Sequence, residues 1–348
     1  MSEAIRNAFH QQASTCRAMH SPLTAEILET LAETLDHNSR TGARILDWPG
    51  DPMADALKLR IAGGLHALAR SGQDGELSEL YHAGTGNFAA TLGRVLIEWD
   101  DWLYPWLDNP PQTNEVGRSA ALMAGLMVAA KRLAMPIELI ELGSSAGLNL
   151  NLDRFHYVLG NYYGGPADGL VHLKPDWHGA APDGIWPQII SRRGVDQNPL
   201  DVGKDDIAAR LLAYCWPDQQ DRLSRLEAAI TIARQYPPVV DAGDAAEWIE
   251  SRLREHQDEG IARVVMHSVF WQYPPREVQQ RMEKAINQAA VTASSERPLA
   301  WLRFEPAPPA VSPMQLRLDL WPTGEKLHLA TCHPHGSTIN WFGAENPA

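Results

Sequence analysis

The stretch Ile137-Glu-Leu-Ile-Glu141-Leu-Gly143-Ser-Ser145-Ala-Gly147-Leu-Asn149 decides the fold class of this chain. A short apolar run ends on an acid, small residues then make a tight loop, and the chain enters a helix. Small residues allow a ligand's polar end to come close to the backbone, which a side chain would block. N–H groups at the following helix start favour an anionic group such as a carboxylate.

The two sides of this stretch differ in texture. From Ala4 to about Arg132 the apolar spacing is helical, as in Ile27, Leu28, Leu31 and Leu35 or Leu57, Ile61, Leu65 and Leu68. Breakers punctuate it at Ser21-Pro22, Trp48-Pro49-Gly50-Asp51-Pro52, Ser71-Gly72 and Asn109-Pro110-Pro111. The spacing predicts an all-helical N-terminal domain over residues 1–132, with five or six helices and no strand.

Beyond Pro136 short apolar runs alternate with helical stretches, as expected of a parallel sheet built from strand–helix–strand units. The runs are Ile137–Leu142, Gln188–Val195, Pro238–Val240, Ile261–His267, Leu299–Phe304, Leu316–Leu320 and Leu327–Thr331. Trp321–Glu325 joins the last two and is too short for a crossover helix, so they are predicted to pair antiparallel. The expected fold class is α/β, with a second domain over residues 133–348 carrying a doubly wound sheet and an antiparallel terminal strand. A Gly-, Pro- and aromatic-rich insertion at about 151–187 reads either as a lid or as a surface excursion with a small hairpin around Leu170–Leu173.

Composition limits the partners. Hydrophobic residues make up 44% of the 348-residue chain and charged ones 21%, values of a packed protein rather than a disordered one. The net charge of −13 argues against nucleic acid, whose affinity comes from Lys and Arg displacing counterions, and favours a small-molecule substrate. Cys16, Cys215 and Cys332 are too few and scattered for a disulfide framework, which fits a reducing, cytoplasmic setting. Met1–His20 has no apolar signal core, and no run of about 18 apolar residues predicts a membrane span.

Three loops carry acids just past strands. Glu141 ends the first run, Asp196 follows the second in Gly194-Val195-Asp196-Gln197-Asn198-Pro199, and Asp244 follows the third in Ala242-Gly243-Asp244-Ala245. Open α/β sheets bind ligands along this carboxyl edge. Asp196 there can accept ribose hydroxyls and Asp244 the exocyclic amine of an adenine; each taken singly also reads as a turn or helix-capping acid.

The Glu141–Gly147 loop, Gly-Val-Asp196-Gln-Asn-Pro and Gly-Asp244-Ala resemble the first three motifs of the class I S-adenosylmethionine-dependent methyltransferases. The closing strand pair resembles their terminal hairpin. The resemblance implies a Rossmann-like sheet binding S-adenosylmethionine, with Glu141, Gly143 and Gly147 at the methionine end, Asp196 on the ribose and Asp244 near the adenine; Ser145 and Asn149 of the same loop are further candidate cofactor-binding residues. Ser145 stands where those enzymes usually carry the middle glycine, and the intervals before both aspartates are longer than usual. Over its whole length the chain resembles more closely an uncharacterised bacterial family, the domain of unknown function numbered 2332. The matching stretches include Gln112–Arg118, Glu141–Asn149, Trp216–Gln219, His267–Tyr273, Pro298–Pro306 and His333–Gly336.

For the chemistry, His267 at the fourth strand's end is the candidate base, since an imidazole accepts a hydroxyl proton near neutral pH. A hydrogen-bonded structural histidine is the other reading. Trp271 and Tyr273 are expected to wall the substrate pocket. Gln112, Asn114, Glu115 and Arg118 open a helix after Pro110-Pro111, with Thr113 or Asn114 as cap, and are expected either to reach the ligand or to serve only as cap and ion pair. The acceptor is expected between the helical domain and the sheet's carboxyl edge. No metal site is expected from Cys332-His333-Pro334-His335, which lacks a second ligand pair at finger-like spacing. Two rivals remain. Gly143-Ser-Ser145-Ala-Gly147 also satisfies the nucleophile elbow of α/β hydrolases, in which several strands precede the serine. A non-catalytic adenosine-ligand-binding protein is the other.

Overall fold

A computed structural model describes residues 2–307 and 313–343; the remainder of the expected second domain, 308–312 and 344–348, lies outside the described residues. The chain divides into two compact units, one of Met1–Thr113 with Lys204–Ser224, the other of Asn114–Gly203 with Arg225–Ala348. The expected boundary at residue 132 therefore shifts in two ways. The segment from Asn114 to the end of the helix that follows joins the sheet, and Lys204–Ser224 joins the helical unit.

The helices up to the first strand are α1 (Ser2–Ala18), α2 (Pro22–Thr34), α3 (Arg40–Leu46), α4 (Leu57–Ser71), α5 (Gly75–Ala83), α6 (Phe88–Glu98), α7 (Asp100–Leu103) and α8 (Ser119–Leu133). Among the described residues no strand precedes Ile137. The apolar stripes read from the sequence form the helical unit's core, where Leu28, Leu31, Ile61, Leu65 and Leu68 are fully buried with Phe9. Polar residues stop and start the helices as their chemistry requires: the side chains of Ser39, Asp74 and Asn87 accept from Gly42 N, Leu77 N and Ala90 N at the starts of α3, α5 and α6.

The strands are β1 (Ile137–Leu142), β2 (His156–Leu159), β3 (Tyr162–Gly164), β4 (His172–Leu173), β5 (Asp176–His178), β6 (Ile189–Asp196), β7 (Val240–Ala242), β8 (Ala262–Ser268), β9 (Leu299–Pro306), β10 (Met314–Trp321), β11 (Glu325–Cys332) and β12 (Thr338–Trp341). Four more helices are interspersed: α9 (Asp205–Ala213), α10 (Gln220–Gln235), α11 (Ala245–Arg252) and α12 (Arg276–Thr292). Nine strands form one sheet in the order β5-β12-β11-β10-β9-β8-β1-β6-β7, and β3-β2-β4 form a second. From β7 to β9 all neighbours are parallel; β9, β10, β11 and β12 then alternate in direction, and β5 runs parallel to β12. The fold is mixed α/β, a helical N-terminal part with a large, mostly parallel sheet.

A strand is found at each of the seven expected runs, the third shifted to Val240–Ala242 from Pro238–Val240, but the antiparallel end is larger than one terminal strand. β12 and β5 were invisible as apolar runs because they are four and three residues long and mix polar with aromatic side chains. The insertion holds β2–β5, and its hairpin is Tyr157–Leu159 with Tyr162–Gly164 rather than at Leu170–Leu173.

The sheet is covered on both faces. Ile140, Leu142, Val265 and Trp301 pack against Ala246 and Ile249 of α11 and Met282 and Ile286 of α12. Leu302, on the opposite face by strand alternation, meets Gly125 of α8, where an added Cβ would stand 2.5 Å away. After β1 the chain turns toward α8, with Asn149 Oδ1 accepting from Ser119 Oγ at 2.8 Å. After β8 it turns to the other face and enters α12. The adjacent ends of β1 and β8 therefore send their loops to opposite faces, the arrangement at which open α/β sheets bind ligands.

Candidate functional site

The loop after β1 is tied by its own backbone and by neighbouring acids. Gly143 N and Ser144 N donate to Val195 O at 2.9 and 3.1 Å, and Gly147 N to Ser144 O at 2.7 Å. Gly143 and Gly147 take φ of +69° and +67°, and a Cβ at either would collide, with Phe270 Cδ2 at 2.2 Å or with Pro238 and Val240 at 2.8 Å. Both glycines are thus demanded by conformation and by space. Ser145 adopts φ +54° without being glycine. It is held there by its N–H to Asp196 Oδ2 at 2.8 Å and by Leu200 N to its carbonyl at 3.1 Å.

The expected helix after this loop is only a 3-10 segment, Leu148–Arg154, kinked at Asn151. Asparagines explain it, since their side chains compete with helical hydrogen bonds: Asn151 Nδ2 donates to Tyr236 O at 2.9 Å and Asn149 pairs with Ser119. The N–H groups expected to face an anion are largely engaged, for Leu148 N donates to Asn114 Oδ1 at 2.9 Å and Leu150 N to Gly147 O at 3.0 Å.

Three polar atoms along this loop are buried without a hydrogen-bond partner: Glu141 Oε2, Ser145 Oγ and Asn149 Nδ2. Glu141 is 2% exposed. Burial pushes its carboxyl up to about 8; the nearby hydrogen-bonding groups of Ser144 and Asn149 and the charge of Arg118 oppose this, and the negative Asp196 adds to it. At neutral pH Glu141 is therefore mostly an uncharged acid with one oxygen unmatched.

The other expected residues fall into two kinds. Asp196, half-buried, accepts Ser145 N and, at 2.9 Å, Asn198 N, so it organises two loops. Asp244 caps α11, its Oδ1 accepting from Ala246 N and Glu247 N at 3.0 and 2.9 Å. Glu115, not Thr113 or Asn114, caps the turn before α8, through Gly117 N at 2.9 Å. Arg118 donates to Ser268 O at 3.2 Å and to Pro334 O at 3.1 Å, tying the end of β8 to the loop after β11. Gln112 is counted with the helical unit, and Asn114, Glu115 and Arg118 with the sheet-bearing unit.

At the end of β8, His267 is 1% exposed and lies beside Leu142 in the register. Its Nδ1 is 2.7 Å from Glu305 Oε1, and its Nε2 has no partner. Trp271 stacks on the imidazole with centroids 4.9 Å apart. Tyr273 does not wall this place: its side chain is 72% exposed. Phe270 does, since its ring covers Gly143. Glu305 and Phe270 were missed in the sequence, although an acid at the end of an apolar run, the signal that singled out Glu141, was present in Phe304-Glu305-Pro306.

Beside this edge, Ala146, Pro199–Gly203, Ala233, Arg234, Pro237, Pro238 and Val240 line a cleft of about 550 Å3. Cys332 ends β11 with a buried thiol raised to about 12 by desolvation. Among the described residues no group of three or more His, Cys, Asp or Glu is gathered in the manner of metal ligands, and no helix is long and apolar enough to cross a membrane.

Neither the curated proteins nor the solved structures give a match to this chain. The family model described as an uncharacterized protein conserved in bacteria, domain of unknown function 2332, matches residues 6–341, nearly the whole length. The chain belongs to that family.

Proposed function

We propose that the sheet-bearing unit is Rossmann-like in the manner of class I methyltransferases, binds S-adenosylmethionine at the carboxyl ends of β1, β6 and β7, and methylates a small hydroxyl-bearing molecule. The observation that carries this reading is the cluster of unmatched buried atoms on the loop after β1, Glu141 Oε2, Ser145 Oγ and Asn149 Nδ2. Buried polar atoms are usually matched, and a polar ligand reaching this loop would supply the partners that these three lack.

Their chemistry fits an amino-acid end. Glu141 would accept an ammonium group, and a positive charge there would return its carboxyl to the ionised form. Ser145 Oγ and Asn149 Nδ2 would donate to a carboxylate. Asp196 is the candidate contact for the ribose in addition to its two backbone contacts, because a carboxylate oxygen accepts more than one hydrogen bond. Asp244, besides capping α11, is the candidate contact for the adenine amine. When bound, S-adenosylmethionine supplies a methyl group made electrophilic by a sulfonium. His267 would take the acceptor's proton, and Trp271, stacked on it, holds the imidazole plane. The order β7-β6-β1-β8-β9, with α8 on one face and α11 and α12 on the other, supports the reading. Calorimetry with S-adenosylmethionine and S-adenosylhomocysteine tests it.

One observation favours a second reading. Ser145, centre of the Gly-x-Ser-x-Gly sequence, has positive φ and an unmatched buried hydroxyl, as a nucleophile elbow would. Against it, β1 is the first strand of the described chain, where a hydrolase has several strands before its elbow. Labelling of Ser145 by a fluorophosphonate would move the assignment to a hydrolase. A non-catalytic binder of the same cofactor would bind it and show no turnover in a metabolite screen.

A further inference from the structure

The imidazole of His267 is gripped from one side. Glu305 Oε1 lies 2.7 Å from its Nδ1, and the same oxygen accepts the backbone N–H groups of Phe270 at 2.9 Å and Trp271 at 3.2 Å. An oxygen already taking two N–H groups is the acceptor for the third, so Nδ1 carries the proton. In the neutral ring Nε2 then bears a lone pair, and this buried atom has no donor.

The loop leaving β8 is forced into shape at the same point. Val269 takes φ +51°, a region a β-branched residue enters only when its surroundings impose it. Val269 N donates to Phe304 O at 2.9 Å, and the next residue places its ring over Gly143. One carboxylate oxygen thus fixes the ring's tautomer together with the backbone of the residues covering the glycine loop.

We propose that Glu305 is the positioning residue of this site: it holds His267 in the Nδ1–H form so that Nε2 accepts a proton from an O–H group of the substrate. The inference rests on His267 being the base. In the step it supports, the hydroxyl proton passes to Nε2 while the oxygen's electron pair forms the new O–CH3 bond. The S–CH3 bond breaks and its pair stays on sulfur. The imidazolium so formed faces the Glu305 carboxylate, which stabilises the added charge.

The test is long-range proton–nitrogen NMR on the full chain labelled with 15N-histidine, with His267 assigned by the signal lost in His267→Gln. The parent is expected to show Nδ1 protonated and Nε2 unprotonated. Glu305→Gln, whose amide oxygen can take the same three N–H groups, should retain that pattern. Glu305→Ala should shift the tautomer ratio toward Nε2–H by about tenfold or more, the size of a lost hydrogen bond to a charged group. An Nε2–H ring in the parent, or an unchanged ratio in a folded Glu305→Ala chain, overturns the proposal; should that variant not fold, the parent and Glu305→Gln spectra decide. Titration with S-adenosylhomocysteine reads the cofactor separately. Absence of binding there overturns the cofactor reading, whereas an Nε2–H ring with binding intact overturns this proposal alone.

Discussion

Asp196 Oδ2 accepts the backbone N–H of Ser145 at 2.8 Å, so the acid that ends β6 holds the loop that follows β1. The bond matters because Ser145 sits at φ +54°, which an L-residue occupies at a cost of about 1–2 kcal/mol. Removing the carboxylate in Asp196→Ala should destabilise the fold by about 1–3 kcal/mol, the range for losing a charge-assisted hydrogen bond. Asp196→Asn, which keeps an acceptor, should lose less. Urea denaturation of the two variants checks the order.

Glu141 makes stability fall with rising pH. Its folded carboxyl, raised to about 8 by burial, keeps a proton that the unfolded chain releases near 4.5, so the folded state binds more protons across this window. The stabilisation is complete below about 4.5 and is lost as pH rises through about 8. Glu141→Gln cannot ionise, so its urea midpoint should gain on the parent's steadily across that window. A constant difference between the two would show that Glu141 is ionised in the folded protein.

Asp74 behaves oppositely. Its hydrogen bonds from Arg94, at 2.8 Å, with those from Leu77 N and Trp99, hold its carboxyl down at about 2 against burial, from an ordinary 3.8. Its contribution is present above about 3.8 and lost as pH falls through about 2. Asp74→Ala should cost about 2–3 kcal/mol at neutral pH, combining a lost cap with a half-buried pair, and the gap to the parent should narrow in acid titrations followed by circular dichroism.

Gly143→Ala should be costly for two independent reasons. The positive φ adds about 1–2 kcal/mol, and the new Cβ, 2.2 Å from Phe270 Cδ2, adds about 1–3 kcal/mol of overpacking. Pairing it with Phe270→Ala should recover the steric part and leave the backbone part. Additive losses in the double variant, read by thermal unfolding, would mean that Phe270 does not cover Gly143.

Periodicity made the helices and the long strands legible, because each buries a regular stripe or an unbroken apolar run. It failed at β5 and β12, which are only three and four residues long and mix polar with aromatic side chains, too short to show a period. At the site, Glu141, Asp196 and Asp244 were legible as acids at strand ends, with turn or helix capping open as one reading of each; which backbone N–H each holds was not. Asp244 caps α11 and Asp196 caps a loop, contacts that depend on which backbone N–H lies nearby. Glu305 acts on His267 across 38 residues of sequence, a pairing that only the parallel register of β8 and β9 brings about. Asn114 likewise reads as the cap of its own helix, yet its acceptor serves Leu148, 34 residues on.

If the unmatched atoms of Glu141, Ser145 and Asn149 receive the amino-acid end of S-adenosylmethionine, isothermal titration calorimetry with S-adenosylhomocysteine should register it. Run near neutral pH in buffers of different ionisation enthalpy, it should show saturable binding accompanied by release of close to one proton, as an ammonium group drives the raised Glu141 carboxyl to ionise. Glu141→Gln should bind more weakly and release none. An absence of heat from both S-adenosylhomocysteine and S-adenosylmethionine at millimolar concentration, with the parent chain folded, would mean that this loop does not bind the cofactor.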